Sequence, residues 1–186
     1  MGGSIMASLI PSGSASGTGS MTLAAPVTNS NQTATLPDAS GTVMVSGNQP
    51  AFYSYPTSTQ SITSGVETKV LFDTELFDTN NNFASSRFTP TVAGYYQINY
   101  GIRYAGTVIA YAYSYIAKNG TYYSINNQNY FTGTNTYLIN GCNLVYCNGS
   151  TDYIEIYLAV SATSPSVNYS SATNSSYFSG VLVRSA

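Results

Sequence analysis

The acidic side chains are the residues of this chain with the clearest capacity for chemistry. Asp73, Glu75 and Asp78 precede three consecutive asparagines, residues 80–82. Carboxylate and amide oxygens are the ligands that calcium prefers, so this stretch is a candidate calcium site, although it has no recognisable binding-loop signature. A solvated loop between two strands explains the same residues equally simply. We therefore predict no cofactor and keep calcium as the one ion to test.

Paired carboxylates are also the only route to catalysis that the composition leaves open. Histidine is absent from the sequence, which excludes Ser-His and Cys-His nucleophile systems, and no phosphate-binding or dinucleotide fingerprint is present. A glycosidase needs two carboxylates at a defined separation, and the spacing selects no pair. The six acids considered are Glu67, Asp73, Glu75, Asp78, Asp152 and Glu155. We predict that the chain is not an enzyme.

Aromatic residues in polar surroundings are the candidates for binding. The chain has 18 tyrosines, and several of them lie beside Asn, Ser and Thr in turn-like sequence. Exposed aromatic rings next to amides suit sugar rings or another protein surface. The candidate recognition residues are Tyr122, Tyr123, Tyr130, Phe131 and Tyr169.

Charge and cysteine content exclude several further classes of partner and site. Only 6% of residues are charged, and the five basic residues are scattered singly, so neither nucleic acid nor a membrane surface is an expected partner. No secretory signal or membrane-spanning run of apolar residues is recognisable. Cys142 and Cys147 have opposite parity on one predicted strand, which predicts two buried free thiols rather than a disulfide.

The elements that would position these residues are predicted to be strands throughout. After Thr89-Pro90 and Gly94, even positions from Tyr96 to Tyr104 are apolar and odd positions are polar, the pattern of a half-buried antiparallel strand. Similar runs recur from residue 51 to the C-terminus without helical periodicity, which predicts an all-β sandwich. The repeated parity of Tyr96, Tyr100, Tyr111, Tyr113 and Tyr115 predicts that these rings fill the core or a trimer axis.

Residues 1–49 differ in amino-acid composition from the rest of the chain. They are rich in Gly, Ser, Thr and Ala and contain no aromatic residue, so they cannot bury enough apolar surface to fold alone. Short β-like runs, such as residues 42–45, are separated by turn signals. We predict an extended anchor or stalk over residues 1–49, which pairs with other copies or with a larger assembly, and a head over residues 50–186.

Residues 51–186 resemble the globular head of complement C-one-q and the tumour-necrosis-factor-like jelly rolls. The matching elements, in order, are residues 88–90 with 93–96, Lys118-Asn119-Gly120, residues 152–156 and residues 178–182. The resemblance implies an antiparallel ten-stranded jelly-roll sandwich that forms a homotrimer. Tyr96, Tyr100, Tyr111, Tyr113, Phe178 and Leu182 are the candidate interface residues. Gln97, Asn99 and Arg103, at the odd and polar positions of the alternating strand, are further candidates to face a neighbouring subunit.

The N-terminal segment resembles the stalk that precedes such heads in bacteriophage virion proteins, on residues 16–26 and 31–43. The resemblance implies a trimeric fibre at the virion surface, on capsid or tail, assembled in the host cytoplasm. Residues 1–49 would contact other virion proteins, and the head would attach to a host glycan or protein by multivalent binding. A capsid decoration or cement protein that stabilises the shell is the alternative. A cellular binding module is a third reading.

Overall fold

The computed structural model describes residues 49–169 and 176–186, and all regular secondary structure in these residues is β. The predicted stalk therefore lies outside the described residues, apart from Gln49. No helix in the described part of the chain is long and apolar enough to cross a membrane. The eleven strands there, one more than predicted, are β1 (Ala51–Tyr55), β2 (Gln60–Ser61), β3 (Thr68–Lys69), β4 (Thr74–Asp78), β5 (Phe83–Ala84), β6 (Arg87–Phe88), β7 (Gly94–Lys118), β8 (Thr121–Tyr130), β9 (Gly133–Cys147), β10 (Ile154–Val167) and β11 (Tyr177–Ser185).

Antiparallel pairing arranges these strands in two layers that share β7. The first layer has the order β4-β1-β11-β7-β9, in which the N-terminal part of β7 pairs with β11 and β9. In the second layer, the C-terminal part of β7 pairs with β10 on one side and β8 on the other, and β2, β3 and β6 pair with β10. The predicted antiparallel all-β sandwich is confirmed.

A bend in the middle of β7 allows one strand to serve both layers. Gly106 lies at this bend with a φ of +148°, a conformation that side chains other than glycine rarely adopt. A Cβ atom there would lie 3.2 Å from the Cβ of Ala162 and 3.3 Å from the Cα of Pro165. Strand β10 follows the bend, because its register with β7 shifts between Val160 and Ala162 and again between Thr163 and Ser166. The corner is therefore built from two strands at once.

The core lies between the layers and is filled by the predicted alternating rows. The even residues from Tyr96 to Tyr104 are buried, and so is the row Ile154, Ile156, Leu158 and Val160 of β10. Four phenylalanines pack at one end of the core, where the ring of Phe52 lies 4.3 Å from Phe88, 5.0 Å from Phe83 and 4.9 Å from Phe178, centroid to centroid. Gly180 leaves room for this cluster, because a Cβ there would lie 2.7 Å from the Phe52 ring.

Two predictions about local structure are wrong. Residues 121–130 form the continuous strand β8, whereas the sequence suggested polar loops between Tyr122 and Tyr130. The Asn-rich stretch is held extended by its pairing with β7 and by the Asn126 side-chain amide, which donates to the Cys142 carbonyl at 2.8 Å. Residues 177–183 are apolar at both odd and even positions, which predicts burial of β11 on both faces, but only Phe178, Gly180 and Leu182 are buried.

Candidate binding surface

The outer face of the second layer carries a concentration of tyrosines that we call the tyrosine face. Along β7, the small or apolar residues Ala112, Ser114 and Ile116 point into the core, so the alternate tyrosines point outward. Cross-strand pairing adds residues from β8 and β10, since Tyr130 is opposite Tyr111 and Tyr157 is opposite Tyr115. The tyrosine face consists of Tyr111, Tyr113, Tyr115, Tyr122, Tyr130 and Tyr157.

The rings of this face pack on one another. Tyr115 is at the centre, with its ring centroid 5.2 Å from that of Tyr157 at an interplanar angle of 8° and 4.0 Å from that of Tyr122. Tyr113 lies 6.4 Å from Tyr115 and 5.7 Å from Tyr111 along the strand. Stacked rings restrict one another's rotamers, which preorganises the hydroxyl groups at the surface.

Glu67 holds two of these hydroxyls from a loop 46 and 48 residues away in sequence. The Tyr113 hydroxyl donates to Glu67 Oε1 at 2.7 Å, and the Tyr115 hydroxyl donates to Oε2 at 3.1 Å. Burial and the adjacent carboxylate raise the pKa of Tyr113 to about 12, and the same causes raise the pKa of Tyr115. Both phenols therefore remain protonated donors at neutral pH.

An ion-pair network closes one end of the tyrosine face. The Glu155 carboxylate is only 3% exposed, and its Oε1 accepts from Lys69 Nζ at 3.1 Å and from Arg87 at 2.9 Å. The Tyr157 hydroxyl donates to the other carboxylate oxygen, and the Arg87 guanidinium lies 3.8 Å from the centroid of the Tyr153 ring. Burial alone would raise the pKa of Glu155, but hydrogen bonds from Arg87 and Lys69 outweigh it and lower the pKa.

The structure brings two of the five predicted recognition residues to this face. Tyr122 and Tyr130 belong to it and are 47% and 74% exposed. Tyr123 points away, since its hydroxyl donates to the Leu144 carbonyl of the first layer at 3.1 Å. Phe131 packs against Tyr137 with 4.7 Å between ring centroids, and Tyr169 lies beyond the end of β10. The five residues therefore do not form one surface.

Four of the six predicted interface residues are buried inside the single chain, which corrects that part of the prediction. Tyr96, Tyr100, Phe178 and Leu182 are at most 3% exposed, so their side chains cannot contact a second chain without unfolding. They fill the core, which is the other of the two locations that the repeated parity predicts for Tyr96 and Tyr100. Tyr111 and Tyr113 are accessible, but they lie on the tyrosine face and not against the core as their repeated parity suggested.

The outer face of the first layer is the second broad surface, and it is mostly uncharged. Leu144 and Leu138 of β9 are exposed, and Tyr53 stacks on Tyr177 at 5.6 Å between centroids. Gln97 and Asn99 lie between these groups on β7 and are half-buried, as the polar parity predicted. By register, the charged residues that β7 and β11 bring to this face, Arg103 and Arg184, lie at its opposite ends.

The predicted calcium ligands do not converge. Asp73 accepts from the Thr57 amide at 2.7 Å and from its hydroxyl at 2.8 Å, whereas Asp78 accepts from the Phe83 amide at 2.7 Å and so holds its own turn. Within residues 49–169 and 176–186, no three His, Cys, Asp or Glu side chains are grouped to bind a metal. Glu75 and Asp78 lie on strand β4, and a hydrogen-bonded turn follows it, so the stretch does not fit a calcium site.

The cysteines are both free, and only one of them is buried. Cys147 is enclosed in the core, where burial raises the pKa of its thiol to about 12. Cys142 is exposed on the outer face of the first layer, so the expectation that both thiols are buried is wrong for this residue. The opposite parity of the two positions correctly predicted that they point to opposite faces of β9.

Sequence reasoning missed the role of Glu67 and the outward direction of the β7 tyrosines. The alternation of tyrosine with Ala110, Ala112 and Ser114 was visible, but large residues were assigned to the inside. Ala112 and Ser114 point inward because the layers approach closely there, as shown by the buried contact between Ser114 and Tyr100, whereas Ala110 is exposed. Nothing in the sequence links Glu67 to a strand that begins 27 residues later.

A two-layer antiparallel sandwich with no helix in the described residues is the architecture of a jelly roll. The globular domain of zebrafish complement 1qA protein is similar, with a TM-score of 0.54 and 15% identity over 74% of this chain and 99% of that one. Murine APRIL gives a TM-score of 0.53 and 8% identity over 73% and 100%. At these identities the likeness establishes the fold, a complement C-one-q or tumour-necrosis-factor-like jelly roll. No family model matches the sequence, and no curated protein matches it.

Proposed function

We propose that this chain is a non-enzymatic structural protein of a bacteriophage virion, a trimeric fibre whose jelly-roll head attaches the particle to its host. Residues 1–49 anchor it to other virion proteins. The jelly-roll fold supports a head that binds and does not catalyse. The resemblance of residues 16–26 and 31–43 to phage stalks supports the virion setting.

The tyrosine face is the observation that carries the attachment role. Its central ring, Tyr115, is covered by its neighbours, but Tyr122 and Tyr130 are exposed, and exposed aromatic patches mark interaction sites. Its hydroxyls are fixed by Glu67 and by packing, so little conformational entropy is lost when a partner binds. Three such faces on one trimer would engage a repetitive surface together and gain avidity from weak single contacts.

The first-layer outer face supports the self-association. Leu138 is 61% exposed, and Cys142, Leu144 and Tyr146 follow on the same face of β9 after one polar residue, Asn140, so accessible apolar groups recur along this face. Along β7, Arg103 and Arg184 lie at opposite ends of this face, so the strip of β7 and β9 between them has no ion to desolvate. A second copy of this chain is the partner that we assign to this surface.

Location and adsorption together test the proposal. Antibodies raised against the recombinant full chain should label particles of the phage that encodes it and should block the adsorption of these particles to host cells. Labelling of the capsid, with particles that become fragile without the protein but adsorb normally, would instead establish the decoration or cement role. Failure to find the chain in any particle, although it folds as a trimer, would support a cellular module.

Sedimentation of the purified full chain tests the trimer separately. A trimer that persists at micromolar concentration is expected, and Leu144→Glu should dissociate it, because the substitution places a charge in the centre of the first-layer face. Ile125→Glu is a matched control, since Ile125 is exposed on β8 in the other layer and should leave the trimer intact. A stable monomer of the unsubstituted chain would contradict self-association.

A further inference from the structure

We infer that the tyrosine face binds an uncharged, extended oligosaccharide and that Glu67 selects against acidic glycans. The inference rests on the proposed attachment function and names its ligand class. It depends on three observations: the charge balance of the face, the spacing of its two most exposed rings and the remaining hydrogen-bonding capacity of Glu67.

The charges of the face favour a neutral partner. Its two carboxylates, Glu67 and Glu155, are balanced by two cations, Lys69 and Arg87, so the sum is zero. Both cations pair with the buried Glu155 at one end, and the Lys69 ammonium also donates to the Ser85 carbonyl at 3.1 Å. Glu155, which accepts from the Tyr157 hydroxyl, is neutralised by these cations, whereas Glu67 accepts from two tyrosine hydroxyls and is not part of this ion-pair network. An anionic ligand would therefore approach Glu67 without a compensating cation.

The two most exposed rings lie far apart on the face. Tyr130 is opposite Tyr111, and Tyr122 is opposite Ala117, six residues further along β7. At about 3.3 Å per residue the two backbone positions are roughly 20 Å apart along the strand, although the Tyr122 ring reaches back to within 4.0 Å of the Tyr115 ring, centroid to centroid. A monosaccharide cannot reach both rings, whereas a chain of several sugar units can lie along the row between them.

Polar groups between these rings match the hydroxyls of a sugar. Each oxygen of Glu67 accepts one tyrosine hydroxyl, which uses about half of the acceptor positions of a carboxylate and leaves the others for a ligand. The Gln128 amide donates to the Tyr130 hydroxyl at 2.6 Å, so this hydroxyl can in turn donate to a ligand. Ile125 is the only large aliphatic side chain exposed between them, which favours a sugar over the apolar core of a protein partner.

The test uses the purified full chain and a panel of neutral linear oligosaccharides, each with an acidic counterpart that carries uronic or sialic acid. Calorimetry should show binding of at least one neutral oligosaccharide and weaker binding of its acidic counterpart. Tyr122→Ala and Tyr130→Ala should each weaken the binding by about tenfold. Glu67→Gln should reduce the discrimination between the neutral and the acidic ligand.

Tyr123→Ala is the matched control for Tyr122→Ala, because Tyr123 is on the same strand, is 44% exposed and points to the other layer. Tyr169→Ala is a second control, outside β8. Both controls should bind the oligosaccharide as the unsubstituted chain does, and sedimentation of each variant confirms that it is assembled.

The outcomes separate this inference from the proposed function. If the tyrosine variants lose adsorption to host cells but no neutral oligosaccharide binds, the attachment role stands and the glycan assignment is wrong, with a host protein as the ligand. If acidic glycans bind as tightly as neutral ones, the role of Glu67 is refuted. If the variants neither lose adsorption nor change glycan binding, both proposals fail at this face.

Discussion

The hydroxyl of Tyr100 lies 2.9 Å from Oγ of Ser114, although both residues belong to strand β7 and are 14 positions apart. In a straight strand their Cα atoms would be separated by roughly 46 Å. Both side chains are buried, so this hydrogen bond directly connects the two layers that the bend at Gly106 creates. Burial raises the pKa of Tyr100 to about 12, which keeps the hydroxyl protonated.

Removing one partner of this bond should cost more than removing both. Ser114→Ala leaves the Tyr100 hydroxyl buried without its partner, and Tyr100→Phe does the same to the serine, so each should lower the free energy of unfolding by about 1–3 kcal/mol. The double variant should be less destabilised than the sum of the two. Urea unfolding of the four proteins measures the coupling, and strict additivity would show that the bond contributes nothing.

Substitution of Gly106 should weaken the corner that joins the layers. Gly106→Ala forces an unfavourable φ and places a methyl group against Ala162 and Pro165, so we expect a loss of about 1–3 kcal/mol. Gly120→Asn is the control, because Asn tolerates the φ of +75° that the Lys118-Asn119-Gly120 hairpin requires. In thermal unfolding, the Tm of Gly106→Ala should be clearly lower than that of the unsubstituted chain, and the Tm of Gly120→Asn should be only slightly lower. Equal Tm values would contradict a special role for Gly106.

Acid should destabilise the head through Glu155 and Asp152. Hydrogen bonds from Lys118 and Asn119 lower the pKa of Asp152, and those from Arg87 and Lys69 outweigh burial at Glu155. Because both folded pKa values lie below the unfolded values of about 3.9 for Asp and 4.3 for Glu, the stabilisation is complete above them and is lost as the pH falls. Denaturation at pH 7, 5, 4 and 3 measures this loss. Glu155→Gln should be less stable at pH 7 and should lose less on acidification than the unsubstituted chain does.

Glu67→Gln should lower the pKa of Tyr113. A carboxylate that accepts the phenol hydrogen bond disfavours the phenolate, and the neutral amide removes the charge. Carbon-13 labelling of the tyrosine Cζ atoms allows the titration to be followed by NMR. Tyr104 is the internal control, because burial raises its pKa to about 12 without any contribution from Glu67. A Tyr113 titration unchanged in the variant would show that the hydrogen bond does not form in solution.

The two cysteines should report on folding and assembly. Cys147 should not react with a thiol reagent until the chain unfolds, since it is buried and its pKa is raised to about 12. Cys142 should react in dilute protein and become protected as concentration rises, because the first-layer face is then covered by another copy. Concentration-independent labelling of Cys142, in a sample that sediments as a trimer, would place the interface elsewhere.

The tyrosine face was only partly predictable from the sequence. Tyr122 and Tyr130 were identified from their polar neighbours, and both lie on the tyrosine face. Tyr115 and Tyr157 were not assigned to this surface, because a period of two shows that residues share a face but not which face is inside. Size predicts that the β7 tyrosines are inside, whereas Ala112 and Ser114 face the core because Tyr100 from the opposite layer fills the space next to Ser114. Tyr115 is buried as predicted, but by Tyr122 and Tyr157 on the other face of the strand.

Local pattern alone determined that this chain is an antiparallel β protein, where the inward rows of β10 and of the N-terminal part of β7 run, and that the Lys118-Asn119-Gly120 turn connects β7 and β8. These features depend on residues that are neighbours along the chain, so alternation and turn chemistry are enough to specify them. Tertiary structure decided that Tyr96, Tyr100, Phe178 and Leu182 belong to the core and that Glu67 joins Tyr113 and Tyr115. Those relationships depend on how β7 bends and which layers meet, and these are determined by contacts between residues distant in sequence.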